Sequence, residues 1–297
     1  MAGTPTFALE GGFLSVTRRD PAARFVIAGV PFDIGTTNRG GARFGPAAIR
    51  QASHMLVDGS HPVWRVEPGT FDIADIGNFA IALGEVAASY ALIEGQAEAI
   101  AGHLITLGGD HGIALPLLRA LRRKVGEPLG LVHFDAHVDT WPDSFGQPYG
   151  HGSCFYHAVE EGLVDPKRMI QIGIRSPVQN EVMDWTLAHG ITVLSGQDVH
   201  VQGPAAVADA VRRVIGTGPA YLSFDIDALD PAFAPGTGTP EIGGLATWQA
   251  QAIIRGLRGL DWRGMDMVEV LPAYDHAEIT SLAAATMVWE YLALVGG

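Results

Sequence analysis

The chain alternates short apolar runs, bounded by turn residues, with longer stretches in which apolar residues recur at helical spacing. The short runs predict buried strands, and they occupy residues 25–30, 104–107, 130–134, 169–174, 191–194, 221–224 and 265–270. The longer stretches predict helices over residues 85–101, 115–124, 204–215 and 248–257. Gly45-Pro46 marks a further helix start, since proline is tolerated in the first helical turn. This alternation predicts an α/β fold with a mostly parallel sheet covered by helices on both faces.

No internal repeat, low-complexity block or linker divides the chain. Its 297 residues exceed the common size of one domain without reaching two clear ones. The first residues hold scattered glycines and prolines without a regular period. We therefore expect an N-terminal arm over residues 1–20, which could pack on a neighbouring subunit, followed by a single domain over residues 21–297.

Composition and charge narrow the classes of function. Hydrophobic residues make up 47% and charged residues 17% of the chain, which is typical of a globular protein. The net charge of -13, from 32 acidic and 19 basic residues, would repel nucleic acid and suits a cationic or neutral small molecule.

The cellular compartment is indicated by the single cysteine, Cys154, which excludes an intramolecular disulfide and favours the reducing cytoplasm. The N-terminus lacks a signal-peptide pattern, and Glu290 interrupts the apolar tail over residues 281–297. The sequence therefore predicts a cytoplasmic protein that neither enters nor spans a membrane.

Three of the predicted strands run into polar motifs at their carboxyl ends. The motifs are Gly-Gly-Asp-His-Gly at 108–112, Asp-Ala-His-Val-Asp at 135–139 and Asp-Ile-Asp at 225–227. In a parallel sheet the ligand crevice lies beyond these strand ends. If the chain stayed extended, Asp135, His137 and Asp139 would face the same way, and so would Asp225 and Asp227.

Four aspartates packed in a water-poor cleft would repel each other strongly unless cations neutralised them. With two histidines they form a candidate ligand set of six: His111, Asp135, His137, Asp139, Asp225 and Asp227. This mixture of donors favours manganese over a metal that prefers thiolates. Six side chains fit two ions with a bridging water as nucleophile. A single aspartate at a strand end is more often a turn or cap residue, but the combined motifs favour a metal site.

Other polar residues near these strand ends have competing interpretations. His133 lies deeper in its strand, which favours a core or outer-layer histidine rather than a ligand. His151 follows the ligand strand in a loop and could donate a proton, or it could be a surface histidine. Glu269 could pair with a cationic ligand, cap a helix or form a salt bridge. Cys154 is expected to pack in the core. The arginines within residues 39–50 could bind an anion, although loop anchoring or a subunit contact is the favoured interpretation.

These motifs resemble the ureohydrolase family, which includes arginase, agmatinase and guanidinobutyrase. The similarity spans nearly the whole chain, through residues 29–33, 45–50, the three ligand motifs and residues 264–282, and the run 223–240 is especially characteristic. The resemblance implies an arginase-like fold with three α/β/α layers, two Mn²⁺ ions per subunit, a small guanidino substrate and a homo-oligomer, either a trimer or a hexamer.

The resemblance also implies roles for particular residues. His111, Asp135, Asp139 and Asp225 would bind individual or shared manganese ions, with His137 and Asp227 completing the pair of sites. His151 would carry protons to the leaving amine, Glu269 would orient the guanidinium group, and Thr239 would line the site.

Substrate choice within the family rests on fewer residues. Trp141 stands where arginases usually have asparagine, which disfavours arginase, and residues 268–286 are most similar to agmatinase. The resemblance therefore implies hydrolysis of agmatine to putrescine and urea. Residues 238–244 are also similar to guanidinobutyrase, so that enzyme or another guanidinoalkanoate ureohydrolase is the alternative. Gly112, where many relatives carry a side chain, is expected to enlarge or loosen the pocket.

Two alternatives from other classes remain at this point. One is a non-catalytic, metal-stabilised binding or regulatory protein, since a fold does not dictate its function. The other is an amide hydrolase on a related metal fold. The complete set of six ligands argues against both.

Overall fold

Eight strands form one sheet in which all neighbours run parallel, as seen in a computed structural model that describes residues 5–297. They are β1 Phe25–Gly29, β2 Ile73–Asn78, β3 His103–Leu107, β4 Leu129–Phe134, β5 Val164–Ile174, β6 Thr192–Ser195, β7 Pro219–Asp225 and β8 Asp261–Val268. Their order across the sheet is β2-β1-β3-β8-β7-β4-β5-β6. The strands that lead into the three polar motifs, β3, β7 and β4, therefore lie close together at the centre.

Helices cover both faces of this sheet. They are α1 Gly45–Ser53, α2 Val86–Glu98, α3 Ala114–Val125, α4 Cys154–Glu160, α5 Asn180–Ala188, α6 Gly196–Ile215, α7 Thr247–Gly256 and α8 Ile279–Gly296. One core joins the sheet to α1, α6, α7 and α8, and a second joins the opposite face to α2, α3 and α4. Alternate residues of β1 show the division: Phe25 and Ile27 belong to the first core, and Val26 and Ala28 to the second. The predicted three-layer α/β/α class is confirmed.

All seven predicted strands are present, but the sequence analysis missed β2. Its middle residue, Asp75, is fully buried and interrupts the apolar run on which strand prediction depends. The carboxylate is satisfied from two sides, because it accepts the backbone N–H of Phe13 at 2.7 Å and pairs with the Arg50 guanidinium at 2.7 Å. A buried charge with these partners is tolerated inside a strand.

The described part of the expected N-terminal arm packs on this same chain. Phe13 and Leu14 are buried in the core beside α1 and α8. The first four residues of the arm lie outside the described residues. Its division from the domain at residue 20 stays a prediction.

Two helices differ from what the sequence pattern indicates. α6 begins before the predicted start at residue 204, and Gly203 breaks it with φ of 79°, so that Pro204 opens a second helical segment. The sequence pattern identifies α8 only as an apolar tail. It is long and apolar enough to cross a membrane by length and composition, yet 72% of it is buried inside the fold. It is therefore the core helix that covers one face of the sheet.

Candidate metal centre

The six predicted ligands converge at the carboxyl ends of the central strands, but not by the alternation expected from the sequence. β4 ends at Phe134, so Asp135, His137 and Asp139 lie in the following loop. Asp139 has a positive φ of 49°, which turns the backbone back toward the sheet. Asp227 lies in a 3₁₀ turn after β7. The extended geometry assumed from the sequence was wrong for these residues, and turns bring the side chains together instead.

The glycines of the Gly-Gly-Asp-His-Gly motif allow the loop after β3 to pass very close to other backbone. A Cβ on Gly109 would lie 2.1 Å from the carbonyl oxygen of Phe32, so no larger residue fits there. Asp110 then caps the turn by accepting the N–H of Gly112 at 3.0 Å. This turn directs His111 inward, where it is fully buried.

His111 faces a group of carboxylates. Its Nδ1 lies 2.9 Å from Asp139, 3.0 Å from Asp135 and 3.3 Å from Asp225, yet no carboxylate oxygen in the described part of the chain meets it with hydrogen-bond geometry. Its Nε2 lies 2.8 Å from the Ser223 hydroxyl. That hydroxyl donates to Asp266 at 2.6 Å, so it accepts a hydrogen bond from Nε2–H, and a neutral His111 ring then has its lone pair on Nδ1. A lone pair among three carboxylates is the arrangement that a cation fits.

A second cluster shares one residue with the first. His137 Nδ1 lies 3.1 Å from Asp135 Oδ1 and 3.2 Å from Asp227 Oδ2. Asp227 is fixed by the N–H of Ala136 at 3.0 Å and by the Thr239 hydroxyl at 3.1 Å. Asp135 therefore contributes one oxygen to each cluster. The described residues thus hold a His/Asp site that could bind metal.

Proton affinities in the cluster show an excess of buried negative charge. Burial, together with the charges of Asp227 and Asp135, raises the pKa of Asp225 well above its usual range. Burial and Asp135 likewise raise the pKa of Asp227. Burial opposes a positive charge on His137, but Asp227 and Asp135 raise its pKa to about 12. Asp225, Asp227 and His137 would therefore carry protons when no other cation neutralises the negative charge of the cluster. A divalent ion can take the place of those protons.

His133 lies inside the same cluster and contacts a ligand, Asp135, with its Nε2 at 2.8 Å. The side-chain amide of Gln171 donates to His133 Nδ1 at 3.2 Å and to the carbonyl of Val138 at 2.5 Å. Nδ1 therefore accepts, and Nε2 carries the proton that Asp135 receives. His133 lies close enough to His111, Asp135 and Asp139 to join a metal site, but with both nitrogens engaged in hydrogen bonds it supports the candidate ligand Asp135 instead.

A cavity of about 730 Å³ opens above the cluster. Its wall includes five of the residues proposed from the sequence: His137, Asp139, His151, Asp225 and Thr239. His151 also contacts Glu269, with 3.1 Å between Nδ1 and Oε1. Burial opposes a charge on this ring, but the hydrogen bond and charge of Glu269 raise the pKa of His151 to about 9.

Glu269 is fully buried behind His151. Its Oε1 also accepts the backbone N–H of His111 at 2.9 Å, and its Oε2 has no hydrogen-bond partner among the described residues. Cys154 is buried next to the cluster, and burial raises the pKa of its thiol well above the usual value. A buried thiol with a raised pKa carries little thiolate, which agrees with a packing role for Cys154.

The sequence analysis missed residues that hold the site together from distant parts of the chain. Thr37 contacts His151, and Asp110 accepts the N–H of Gly35 at 2.9 Å. Arg175 donates to backbone carbonyls around Asp227 and Glu241. Asp110 lies in the Gly-Gly-Asp-His-Gly motif, so the sequence did carry a signal that could have marked it as a site residue. Thr37 and Arg175 carry no local pattern that would mark them.

Gly112 does not enlarge the cavity as expected. A Cβ at this position would lie 2.2 Å from the hydroxyl of Tyr90 and 3.0 Å from Asp110. The space beside Gly112 is therefore filled by the Tyr90 side chain, and the glycine faces away from the cavity wall.

Comparison with known proteins identifies the family. The Arginase family model matches residues 23–293. A guanidinopropionase from Pseudomonas aeruginosa is 46% identical over 99% of this chain and 92% of its own length, and an agmatinase from Edwardsiella ictaluri is 45% identical over 92% and 88%. A guanidinobutyrase from Pseudomonas aeruginosa is 45% identical over 91% and 85%.

Among solved structures, a hypothetical agmatinase from Burkholderia thailandensis superposes with a TM-score of 0.91 at 43% identity, covering 98% of this chain and 92% of that one. A family match over most of the length and a shared fold point to the same assignment. The chain belongs to the arginase family and is a ureohydrolase of that family.

Proposed function

We propose that this chain hydrolyses a C–N bond of a small linear guanidino compound and releases urea and an amine, using two Mn²⁺ ions per subunit. The observation that carries the proposal is the setting of His111. Among residues 5–297 its Nδ1 has no hydrogen-bond partner, and it lies within 3.3 Å of three carboxylates. Two of these, Asp139 and Asp225, line a cavity large enough for a small substrate.

The donor set fits a pair of divalent ions. His111, Asp139 and Asp225 would hold one ion, His137 and Asp227 would hold the other, and Asp135 would be shared by both. Carboxylate and imidazole donors without thiolate suit manganese. Divalent ions bound here would supply Lewis-acid activation of the attacking water.

The residues of the chain itself position the substrate and move the proton. His151 lines the cavity and would give its proton to the leaving amine. Glu269 holds His151 through Nδ1. Its Oε2 is buried and does not line the cavity, so Glu269 would orient the guanidinium group through its contact with His151. Thr239 lines the same wall and fixes Asp227, so that the ligand keeps its orientation as substrate enters.

Agmatine is the first candidate substrate. Two carboxylates at the cavity wall, Asp143 and Glu241, suit the ammonium end of agmatine. A guanidino acid is the second candidate, because Arg39 also lines the cavity and has no carboxylate within 4.0 Å among residues 5–297. The guanidinopropionase and guanidinobutyrase relatives support this second candidate, as the agmatinases support the first.

The test is a comparison of urea release by the Mn²⁺-loaded protein from agmatine, 4-guanidinobutyrate, 3-guanidinopropionate and arginine. We expect the highest kcat/KM with agmatine, and Asp143→Asn should raise KM for agmatine without raising KM for the acids. A higher kcat/KM with one of the two guanidino acids, together with a higher KM for that acid in Arg39→Gln, would favour the second candidate. If no guanidino compound yields urea, the proposal fails and the non-catalytic binding or regulatory class is left.

We also propose that the protein works in the cytoplasm as a trimer or hexamer. The single buried cysteine supports a reducing compartment, and the family resemblance supports the assembly. Sedimentation of the purified protein measures the oligomer directly, and a monomer would contradict that part of the proposal.

A further inference from the structure

Thr37 lies in the loop between β1 and α1 and faces the same cavity as His151. The loop is fixed on both sides of Thr37. The carbonyl of Gly35 accepts the backbone N–H of His151 at 3.1 Å, and the side-chain amide of Asn38 donates to the carbonyl of Gly238 at 2.9 Å. Thr37 itself is exposed to the cavity, so its side chain is not required to fill the core.

The His151 ring is held at both nitrogens. Nδ1 lies 3.1 Å from Glu269 Oε1. Nε2 lies 2.7 Å from the Thr37 hydroxyl and 3.2 Å from the Thr37 backbone N–H. A backbone N–H can only donate, so in this arrangement Nε2 accepts and the ring proton is on Nδ1, where the Glu269 carboxylate receives it.

The two groups of Thr37 respond differently when the ring gains a second proton. The backbone N–H opposes a proton on Nε2, because two donors would then face each other. The hydroxyl can rotate, donating to the neutral ring and accepting from the charged one. Glu269 in contact, and the nearby charges of Asp139 and Asp110, favour the charged ring. The hydroxyl is therefore the partner of Nε2 that suits both protonation states.

We propose that Thr37 is a positioning residue for His151, whose hydroxyl keeps Nε2 aimed at the cavity throughout a cycle of proton gain and loss. This inference rests on the proposed function, in which His151 carries the proton to the leaving amine. The residues are 114 positions apart in the chain, and the contact depends on the fixed loop between β1 and α1.

The kinetic test compares Thr37→Val, which keeps the shape and loses the hydroxyl, with Thr37→Ser, which keeps the hydroxyl. We expect kcat of Thr37→Val to fall about tenfold, a fraction of what a general acid contributes, while KM stays within about twofold. Thr37→Ser should remain close to wild type. Thr36→Val is the matched control, because the Thr36 hydroxyl contacts the carbonyl of Asp33 and not His151.

The second readout does not depend on turnover. ¹⁵N-histidine NMR of the full chain, with diamagnetic Zn²⁺ in place of Mn²⁺, follows the His151 ring, identified by the signal lost in His151→Asn. In Thr37→Val only the backbone N–H would remain at Nε2, so the pKa of His151 should fall by roughly half a unit to one unit. In Thr37→Ser and Thr36→Val it should not move.

The inference is overturned if the pKa of His151 and kcat are unchanged in Thr37→Val, or if Thr37→Ser is as impaired as Thr37→Val, since the methyl group would then be the part that matters. Failure of the proposed function looks different: the wild-type protein would release no urea from any guanidino compound, whatever the NMR titration shows.

Discussion

For single residues, the nitrogen that carries the ring proton of a histidine decides whether that histidine can bind a metal ion. His111 donates a hydrogen bond from Nε2 to the Ser223 hydroxyl, which donates to Asp266, and so the neutral ring presents the lone pair of Nδ1 to the cluster. His133 is arranged the other way round, because Gln171 donates to its Nδ1. Two buried histidines a short distance apart thus receive opposite roles, ligand and supporting donor, from their hydrogen-bond partners.

For His151 we expect a catalytic defect without loss of the metal site. His151→Ala should lower kcat by roughly 10²-fold, as removal of a proton-transfer group typically does, while metal content measured on the purified protein stays at the wild-type level. His189→Ala is the control, since His189 contacts Trp185 at the end of α5 and not the cavity. Loss of metal from His151→Ala would instead make His151 a ligand.

His103 gives a prediction about stability that is independent of the site. Burial lowers the pKa of His103 to about 4, below its value in the unfolded chain, so the unfolded state binds the proton more readily. Above about pH 6.5 the ring is neutral in both the folded and the unfolded chain, so His103 does not lower the free energy of unfolding. As the pH drops from about 6.5 through about 4, the free energy of unfolding should fall by up to roughly 3 kcal/mol. Denaturant unfolding of wild type and His103→Gln measures the difference. Parallel pH dependence in the two proteins would contradict the assignment.

At the scale of elements, the loop after β7 is held by one arginine. Arg175, just after β5, donates to the carbonyls of Gly173 at 3.0 Å, Asp227 at 2.7 Å and Glu241 at 2.7 Å. No carboxylate pairs with it among residues 5–297. A planar guanidinium with several donors can bridge carbonyls from separate turns, and a lysine cannot. The loop that carries Asp227, Thr239 and Glu241 therefore depends on a residue outside it.

Arg175→Lys is expected to loosen that loop while leaving the sheet intact. The free energy of unfolding should fall by about 2–4 kcal/mol, because buried carbonyls lose donors, and limited proteolysis should cut within residues 231–244 at a higher rate. Arg168→Lys is a comparison at the opposite end of the same strand, where the guanidinium also donates to backbone carbonyls. Equal protection of the loop in Arg175→Lys and wild type would show that Arg175 does not hold it.

At the scale of the whole molecule, the order of strands assembles the site. The central strands are successive neighbours in the order β3, β8, β7 and β4. β3 and β4 come from the first half of the chain, and β7 and β8 come from the second half. The motif after each then opens on the same edge of the sheet, where ligands bind in parallel α/β folds. The two hydrophobic cores hold the strand ends in place, and the turns that follow these strands bring the candidate ligands together.

Metal binding should therefore stabilise the whole fold. Because the ion binds the folded chain and not the unfolded one, Mn²⁺ at a hundred times its Kd should add about 2.7 kcal/mol per site, seen as a rise in Tm. Asp227→Ala should lose most of this rise and most of its activity. Asp209→Ala is the control, since Asp209 is an exposed residue of α6. A full Tm rise and two bound metals in Asp227→Ala would remove Asp227 from the ligand set.

Most strands and helices and the candidate ligands could be predicted from the sequence, because both are encoded locally. Apolar runs such as 130–134 predict strands through their own hydrophobicity, and motifs such as Asp-Ala-His-Val-Asp carry their chemistry in neighbouring residues. β2 was not predicted because buried Asp75 breaks the local pattern. Phe13 and Arg50, the partners of Asp75, lie in other segments of the chain.

Which atoms face each other could be seen only in the folded chain. The positive φ of Asp139, the contact of Thr37 with His151 and the carbonyls gathered by Arg175 depend on how separate loops pack. A loop conformation is set by contacts from distant residues rather than by its own periodicity. Local pattern therefore identifies the candidate ligands of this protein, and long-range packing assigns their atoms the partners that the structure shows.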